Sequence, residues 1–249
     1  MCRHLAYLGP PTTLADLLLT PPHSLLRQSW APRRQRYGTV NADGFGAGWY
    51  VPERPEPVRY RRAQPIWSDA SFASLAPTIS TSCVVAAVRS ATPGCGPDES
   101  CAAPFTDRRW LFSHNGRLAD WPDARKALAD RTYDIAEASA PVDSALLFGL
   151  AAGHWLAGAP LATGLVDTVR EALAVGGGRL TLLATDGITI AGTRVGEPMF
   201  VLERAGAVVV ASEPSDDDPR WTEVPDHSVL HADRDGVIIT PLHEPEDLP

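Results

Sequence analysis

The sequence predicts an α+β fold, and three observations carry that prediction. Short strand-like runs fill the first half, an alanine- and leucine-rich helical block follows, and short strands return after the glycine triplet Gly176-Gly-Gly. Strands grouped before and after one block of helices indicate antiparallel sheets with segregated helices; a parallel sheet would alternate strand and helix throughout.

The elements follow in order. Residues 4–8, 45–51, 82–88 and 110–114 are apolar or alternating runs bounded by Gly, Pro, Asn or Asp, which is the pattern of sheet strands. Between them, Thr13-Leu-Ala-Asp-Leu-Leu-Leu predicts a short helix stopped at Pro21-Pro22, and residues 68–75 predict another with Ser68 as its N-cap. From Trp121 to Ala174 the periodicity becomes helical, with Leu146, Leu147 and Leu150 on one face and a second run over residues 161–173. Strands are expected again over residues 180–184, 188–193, 199–202 and 207–211. The Asp186-Gly187 and Ala205-Gly206 turns between them suggest a meander. No internal repeat or linker divides the chain, so one domain is expected over residues 2–243, with residues 244–249 a frayed acidic tail.

Composition excludes several function classes. Hydrophobic residues make up 44% of the chain, enough for a sizeable core, yet no apolar run approaches the ~18 residues that a membrane-spanning helix needs. Met1-Cys2-Arg3-His4 does not lead into a signal-peptide core, so a cytoplasmic protein is expected. A net charge of −8 disfavours nucleic acid as a partner, because phosphate binding depends on clustered Lys and Arg. Cys2, Cys83, Cys95 and Cys101 include no CxxC pair, and neither a disulfide framework nor a structural zinc site is indicated. The run Asp216-Asp217-Asp218 reads as a solvated acidic loop, since hard cations need more oxygen ligands in defined geometry. No metal and no cofactor are expected.

Chemistry enters at Cys2. Removal of Met1 leaves a thiol beside a free α-amine, and an α-amine titrating near ~7.7–8.0 is partly neutral at physiological pH and can take the thiol proton. On its own, a cysteine in second position is an ordinary residue. The glycines of Asn41-Ala-Asp-Gly-Phe-Gly-Ala-Gly-Trp-Tyr50 lead into a strand and so do not form a dinucleotide-binding turn; they leave one strand face bare for close packing or for a ligand. Arg89 ends an apolar strand in Val88-Arg-Ser-Ala-Thr-Pro-Gly94 and has the planar fork to grip a carboxylate. In Ser113-His-Asn-Gly116 the Asn-Gly pair is either a turn or, through the Asn115 amide and the Gly116 N–H, a pair of donors for an oxyanion. Asp143 opens a helix, where it serves either as N-cap or as acceptor for a substrate ammonium.

Together the N-terminal Cys, the DGFGAGW, VRSATPG and SHNG segments and the Asp143-Ser144 pair resemble the class-II glutamine amidotransferase family, from Cys2 to about Leu150. The resemblance implies the four-layer αββα sandwich of N-terminal-nucleophile hydrolases. It implies Cys2 as nucleophile, Asn115 and Gly116 as oxyanion hole, Arg89 binding the glutamyl α-carboxylate with Thr92 nearby, Asp143 binding the α-ammonium, and His114 beside the substrate. The sequence departs from the family where many members carry His before a Pro-Phe pair: Ala103 precedes Pro104-Phe105 here, so no role of that His transfers.

Within the family, the segment Ala211-Ser-Glu-Pro-Ser-Asp-Asp-Asp-Pro-Arg-Trp221 followed by Val224-Pro225 is similar to the free-standing amidohydrolases of ergothioneine biosynthesis. That likeness implies hydrolysis of γ-glutamyl-hercynylcysteine S-oxide, a small-molecule partner whose trimethylammonium an aromatic face would hold, with Trp30, Trp49 and Trp67 as candidates. The remaining strands use the residues after the glutaminase motifs, which favours hydrolysis over ammonia transfer to an acceptor domain. A glutaminase subunit with a separate partner, an amidase for another γ-glutamyl amine, and a catalytically silent scaffold remain open alternatives. The oligomeric state is not specified by the sequence.

Overall fold

A computed structural model describes residues 2–91, 98–132 and 134–242. Two antiparallel sheets face each other. The first takes β1 (Arg3–Thr13), β2 (Phe45–Trp49), β3 (Val58–Arg62), β4 (Ser80–Val88), β9 (Phe200–Arg204), β10 (Ala207–Ala211) and β11 (Thr222–Glu223), in the order β11-β9-β10-β1-β4-β2-β3. The second takes β5 (Phe105–Asp107), β6 (Trp110–Leu118), β7 (Gly178–Thr185), β8 (Ile190–Arg194), β12 (Ser228–Ala232) and β13 (Val237–Pro241), in the order β13-β12-β8-β7-β6-β5.

The alternation of side chains along each strand builds the layers. On β1, Leu5 and Tyr7 join an outer cluster with Leu14, Leu18 and Phe72, whereas Ala6 and Leu8 join Val85, Leu111, Leu183 and Val210 between the sheets. On β6 and β7 the outward residues Phe112, Leu180 and Leu182 pack against helices. Helices α1 (Leu14–Leu18), α2 (Leu25–Gln28) and α3 (Ala70–Leu75) thus cover the first sheet, while α4 (Trp121–Leu128), α5 (Asp143–Leu156) and α6 (Leu161–Ala174) cover the second. The result is the expected αββα sandwich with three apolar interlayers. Among the described residues no helix is long and apolar enough to cross a membrane.

Several expectations are corrected. The strands after Gly176 do not form one meander: β7 and β8 pair in the second sheet, β9 and β10 pair in the first, and the chain returns to the second sheet with β12 and β13. Ser68 ends a 3-10 turn over Ile66–Ser68, and the cap of α3 is Asp69, whose carboxylate accepts from the Phe72 N–H at 2.9 Å. Asp143 is the first residue of α5, not its cap.

The bare glycine face of β2 serves close packing. A Cβ on Gly46 would come within 2.5 Å of the Ala103 carbonyl oxygen, and one on Gly48 within 2.6 Å of Leu111. The segment that approaches, 102–104, is fixed from the other side: Arg61 donates to the Ala102 carbonyl and Arg59 to the Pro104 carbonyl, while both guanidinia grip Glu137. Ala103 is therefore held at the rim of the cleft described next.

Candidate active site

Cys2 lies half-buried immediately before β1, where β1, β4 and β6 converge on one cleft. Arg89 and Ser90 reach it from the end of β4, His114 and Gly116 from β6, and Asp143 and Ser144 from the start of α5; Cys101, Ala103, Phe105 and Val142 form less polar walls. Five of the seven predicted site residues line this cleft. Asn115 is adjacent but fully buried, donating from Nδ2 to the Ser212 hydroxyl at 3.4 Å, and its Oδ1 has no hydrogen-bond partner among the described residues. Thr92 and Cys95 lie outside the described residues.

Each polar group is oriented by backbone. Arg89 is buried; its N–H donates to the Gly44 carbonyl at 2.7 Å and its Nη1 to the Asp43 carbonyl at 3.0 Å, so the turn that opens β2 aims the guanidinium. The Asp43 carboxylate accepts from the Ala91 N–H at 2.7 Å and fixes the chain just beyond. Asp143 accepts from the Leu118 N–H and from the Ser144 N–H, both at 2.9 Å, which sets its carboxylate in one plane. His114 Nε2 lies 2.9 Å from the Arg179 carbonyl, which can only accept, so that nitrogen carries the proton; Nδ1 faces the Ser144 hydroxyl at 3.0 Å. A side chain on Gly116 would collide with the Arg179 carbonyl, so a residue without Cβ is required there.

Beneath the cleft, His4 is buried completely, with Nδ1 3.1 Å from the Ser113 hydroxyl. Burial, and then the nearby Arg3 and His114, push its pKa down from 6.5 to about 3. The sign follows from linkage: between those values the unfolded chain binds a proton that the folded protein refuses, so this group makes stability fall as pH drops from about 6.5 toward 3. The expected slope is up to ~1.4 kcal/mol per pH unit. Thermal unfolding from pH 7 to pH 4.5 should show a shallower acid loss in His4→Gln than in the unaltered protein, and equal slopes would refute the assignment.

The remaining cysteines and aromatics are now placed. Cys83 is buried, 3.3 Å from the Thr185 hydroxyl, and burial pushes its thiol up to about 12, so it is a core residue. Cys101 lines the cleft. Trp49 is packed in the outer core of the first sheet and is withdrawn as a cation-binding candidate; Trp30 and Trp67 meet edge to face at 5.8 Å, both partly exposed, and neither lines the cleft. The Asp216-Asp217-Asp218 carboxylates take Arg204, Arg220, Arg33 and His23 as partners, so the acidic loop is ion-paired as well as solvated. Among the described residues no group of three or more His, Cys, Asp or Glu is placed to hold a metal ion.

Sequence reasoning missed Arg3, Ser212 and Glu213. The last two directly follow the apolar strand β10, and their place at its exit, beside a strand end, was the one sequence feature that set them apart.

Known proteins are similar to this chain in sequence and in fold. The description "Glutamine amidotransferases class-II" matches residues 22–144, which include Arg89, Asn115, Gly116 and Asp143. A gamma-glutamyl-hercynylcysteine sulfoxide hydrolase of Mycolicibacterium smegmatis is 44% identical over 243 residues, 97% of this chain and 100% of that protein. The chain belongs to the class-II glutamine amidotransferases. A second family member, the Mycobacterium tuberculosis protein of the same name, is 40% identical over 245 residues, 97% of each chain. Among solved structures, a glutamine aminotransferase class-II domain protein from Silicibacter pomeroyi superposes with a TM-score of 0.69 at 25% identity, over 98% of this chain and 100% of that one. For this class-II chain, the predicted sandwich and family are therefore both established.

Proposed function

We infer that this chain is an amidohydrolase that cleaves the γ-glutamyl amide of γ-glutamyl-hercynylcysteine S-oxide, releasing glutamate and hercynylcysteine S-oxide in ergothioneine biosynthesis. The observation that carries the reading is one cleft holding Cys2, Arg89 and Asp143, in a chain 44% identical over the whole of a relative bearing that substrate's name.

The chemistry follows from the groups present. With Met1 removed, the Cys2 α-amine takes the thiol proton, and Sγ attacks the γ-carbonyl carbon. Charge develops on the carbonyl oxygen, and the Asn115 amide and Gly116 N–H receive it. Collapse of the adduct breaks the C–N bond, the leaving amine takes the proton back from the α-ammonium, and a γ-glutamyl thioester remains on Cys2. Water, deprotonated by the same amine, attacks the thioester and frees glutamate. Arg89 and Asp143 grip the α-carboxylate and α-ammonium of the glutamyl moiety, with Thr92 and His114 at the edge of that pocket. This reading needs no cofactor or metal, and places the enzyme in the cytoplasm with a small molecule as its partner.

The deciding experiment compares glutamate release from the sulfoxide and from glutamine, with mass spectrometry of the N-terminus. Fast turnover of the sulfoxide with little glutaminase activity is expected, and turnover of glutamine alone would return the assignment to a glutaminase subunit. Arg89→Lys tests the glutamyl pocket, because it keeps the charge and loses the two-pronged grip. A charge-assisted hydrogen bond contributes about 1.5–3 kcal/mol, so KM should rise ~10- to 100-fold with a smaller change in kcat. An unchanged KM would remove Arg89 from the pocket.

A further inference from the structure

Arg3 is an unusual residue to find directly after a nucleophile: its side chain is fully buried, and so is that of Glu213, 4.0 Å away. A second fully buried carboxylate, Glu197, also acts on the Arg3 guanidinium. Burying a charge is costly unless it is paired, so such a group is retained where its placement serves something else. The Arg3 side chain folds back and donates from Nε to the Cys2 carbonyl at 2.9 Å. That bond fixes the rotation about the Cα–C bond of Cys2, while Arg3 itself is locked in register opposite Val88. With the peptide plane fixed on one side, the directions of the α-amine and of the Cα–Cβ bond that carries the thiol are fixed too.

Glu213 makes further contacts. Its Oε1 accepts from the Arg33 N–H at 3.0 Å and its Oε2 from the Arg34 N–H at 2.7 Å. Those two residues begin a loop over positions 33–38 that runs beside Ser90 and Arg179. Gly38 lies against Ser90, which lines the cleft, at a distance of 4.0 Å from an ideal Cβ to the hydroxyl. Tyr37 lies under the Arg179 guanidinium at 4.6 Å, and the carbonyl of Arg179 is the acceptor for His114.

We propose that Arg3 and Glu213 are a buried positioning pair that fixes the orientation of Cys2 and ties it to the 33–38 loop. The proposal rests on the reading of Cys2 as the nucleophile of γ-glutamyl amide hydrolysis. Neither residue touches the reacting atoms. Arg3 holds the nucleophile's backbone, and Glu213 couples that backbone to the 33–38 loop.

The test uses Arg3→Lys and Glu213→Gln in the full chain, with three readouts: kcat and KM for glutamate release, the pH profile of Cys2 alkylation by iodoacetamide, and thermal unfolding. Arg3→Lys keeps the charge and loses the Nε–H, so kcat should fall ~10- to 100-fold with KM little changed, as a nucleophile displaced by about 1 Å requires. Glu213→Gln is nearly isosteric and leaves the guanidinium without its nearest carboxylate. It should raise KM, lower kcat, and move the pH midpoint of alkylation downward, because an unbalanced positive charge favours thiolate and neutral amine. Full kcat in folded Arg3→Lys, or an alkylation midpoint unmoved in Glu213→Gln, overturns the proposal. If Arg3→Lys does not fold, Glu213→Gln decides alone. If the unaltered protein releases no glutamate from any γ-glutamyl substrate, the reaction assignment fails, while the alkylation profile still tests the positioning.

Discussion

Glutamate release is expected to fall by ~10⁴-fold or more when Cys2 is replaced by alanine, because Cys101, the other thiol that lines the cleft, has no α-amine beside it to act as base. The substitution isolates the thiol. Alanine in second position also permits removal of Met1, so the α-amine that serves as base is still present. The Arg3 Nε–H bond goes to the main-chain carbonyl of residue 2, which alanine retains, and no buried partner is stranded. The variant should therefore fold, and it should still bind γ-glutamyl substrate through Arg89 and Asp143. Mass spectrometry of the N-terminus, turnover, and the rise in unfolding temperature on adding substrate check the three statements separately. Turnover within tenfold of the unaltered protein, from a correctly processed N-terminus, would remove Cys2 from the mechanism.

What the sequence made legible follows a physical line. Strands buried on both faces, as β4 is from Cys83 to Val88 and β10 from Val208 to Ala211, must be apolar there and were readable at once; residues 207–211 match to the residue. The strands overlooked are β3, β5 and β11 to β13. The first of these, Val-Arg-Tyr-Arg-Arg, is only partly buried, and β13 is an exposed edge, so neither needs an apolar pattern. The split of the last strands between two sheets was hidden because alternating side chains report which face is buried, not which sheet a strand joins. Among the residues that line the cleft, Cys2, Arg89, His114, Gly116 and Asp143 were legible because each sits in a short segment with distinctive chemistry. Arg3 and Glu213 were not, since a lone charge beside a strand reads as a surface residue, and its burial arises only when β1, β10 and the 33–38 loop come together.

Asn115→Ala is the second substitution with a large expected effect, and its signature differs from that of the glutamyl pocket. The Asn115 amide sits one residue before Gly116 on β6, buried against Ser212, with Nδ2 donating to the Ser212 hydroxyl over a long 3.4 Å. An amide NH₂ has two hydrogens, so a second donor is free to meet an oxyanion that exists only after attack by Sγ. Removing one such donor costs ~10²- to 10³-fold in kcat, about 2.7–4 kcal/mol, while ground-state binding of substrate is untouched. KM should therefore stay within a small factor, whereas Arg89→Lys should raise it. Asn115→Asp sharpens the test: the shape is kept, but an acceptor faces the developing negative charge, so the loss in kcat should equal or exceed that of alanine. A variant in which Asn115→Ala raises KM and spares kcat would place this amide on the substrate's ground state, and the oxyanion would then rest on the Gly116 N–H alone.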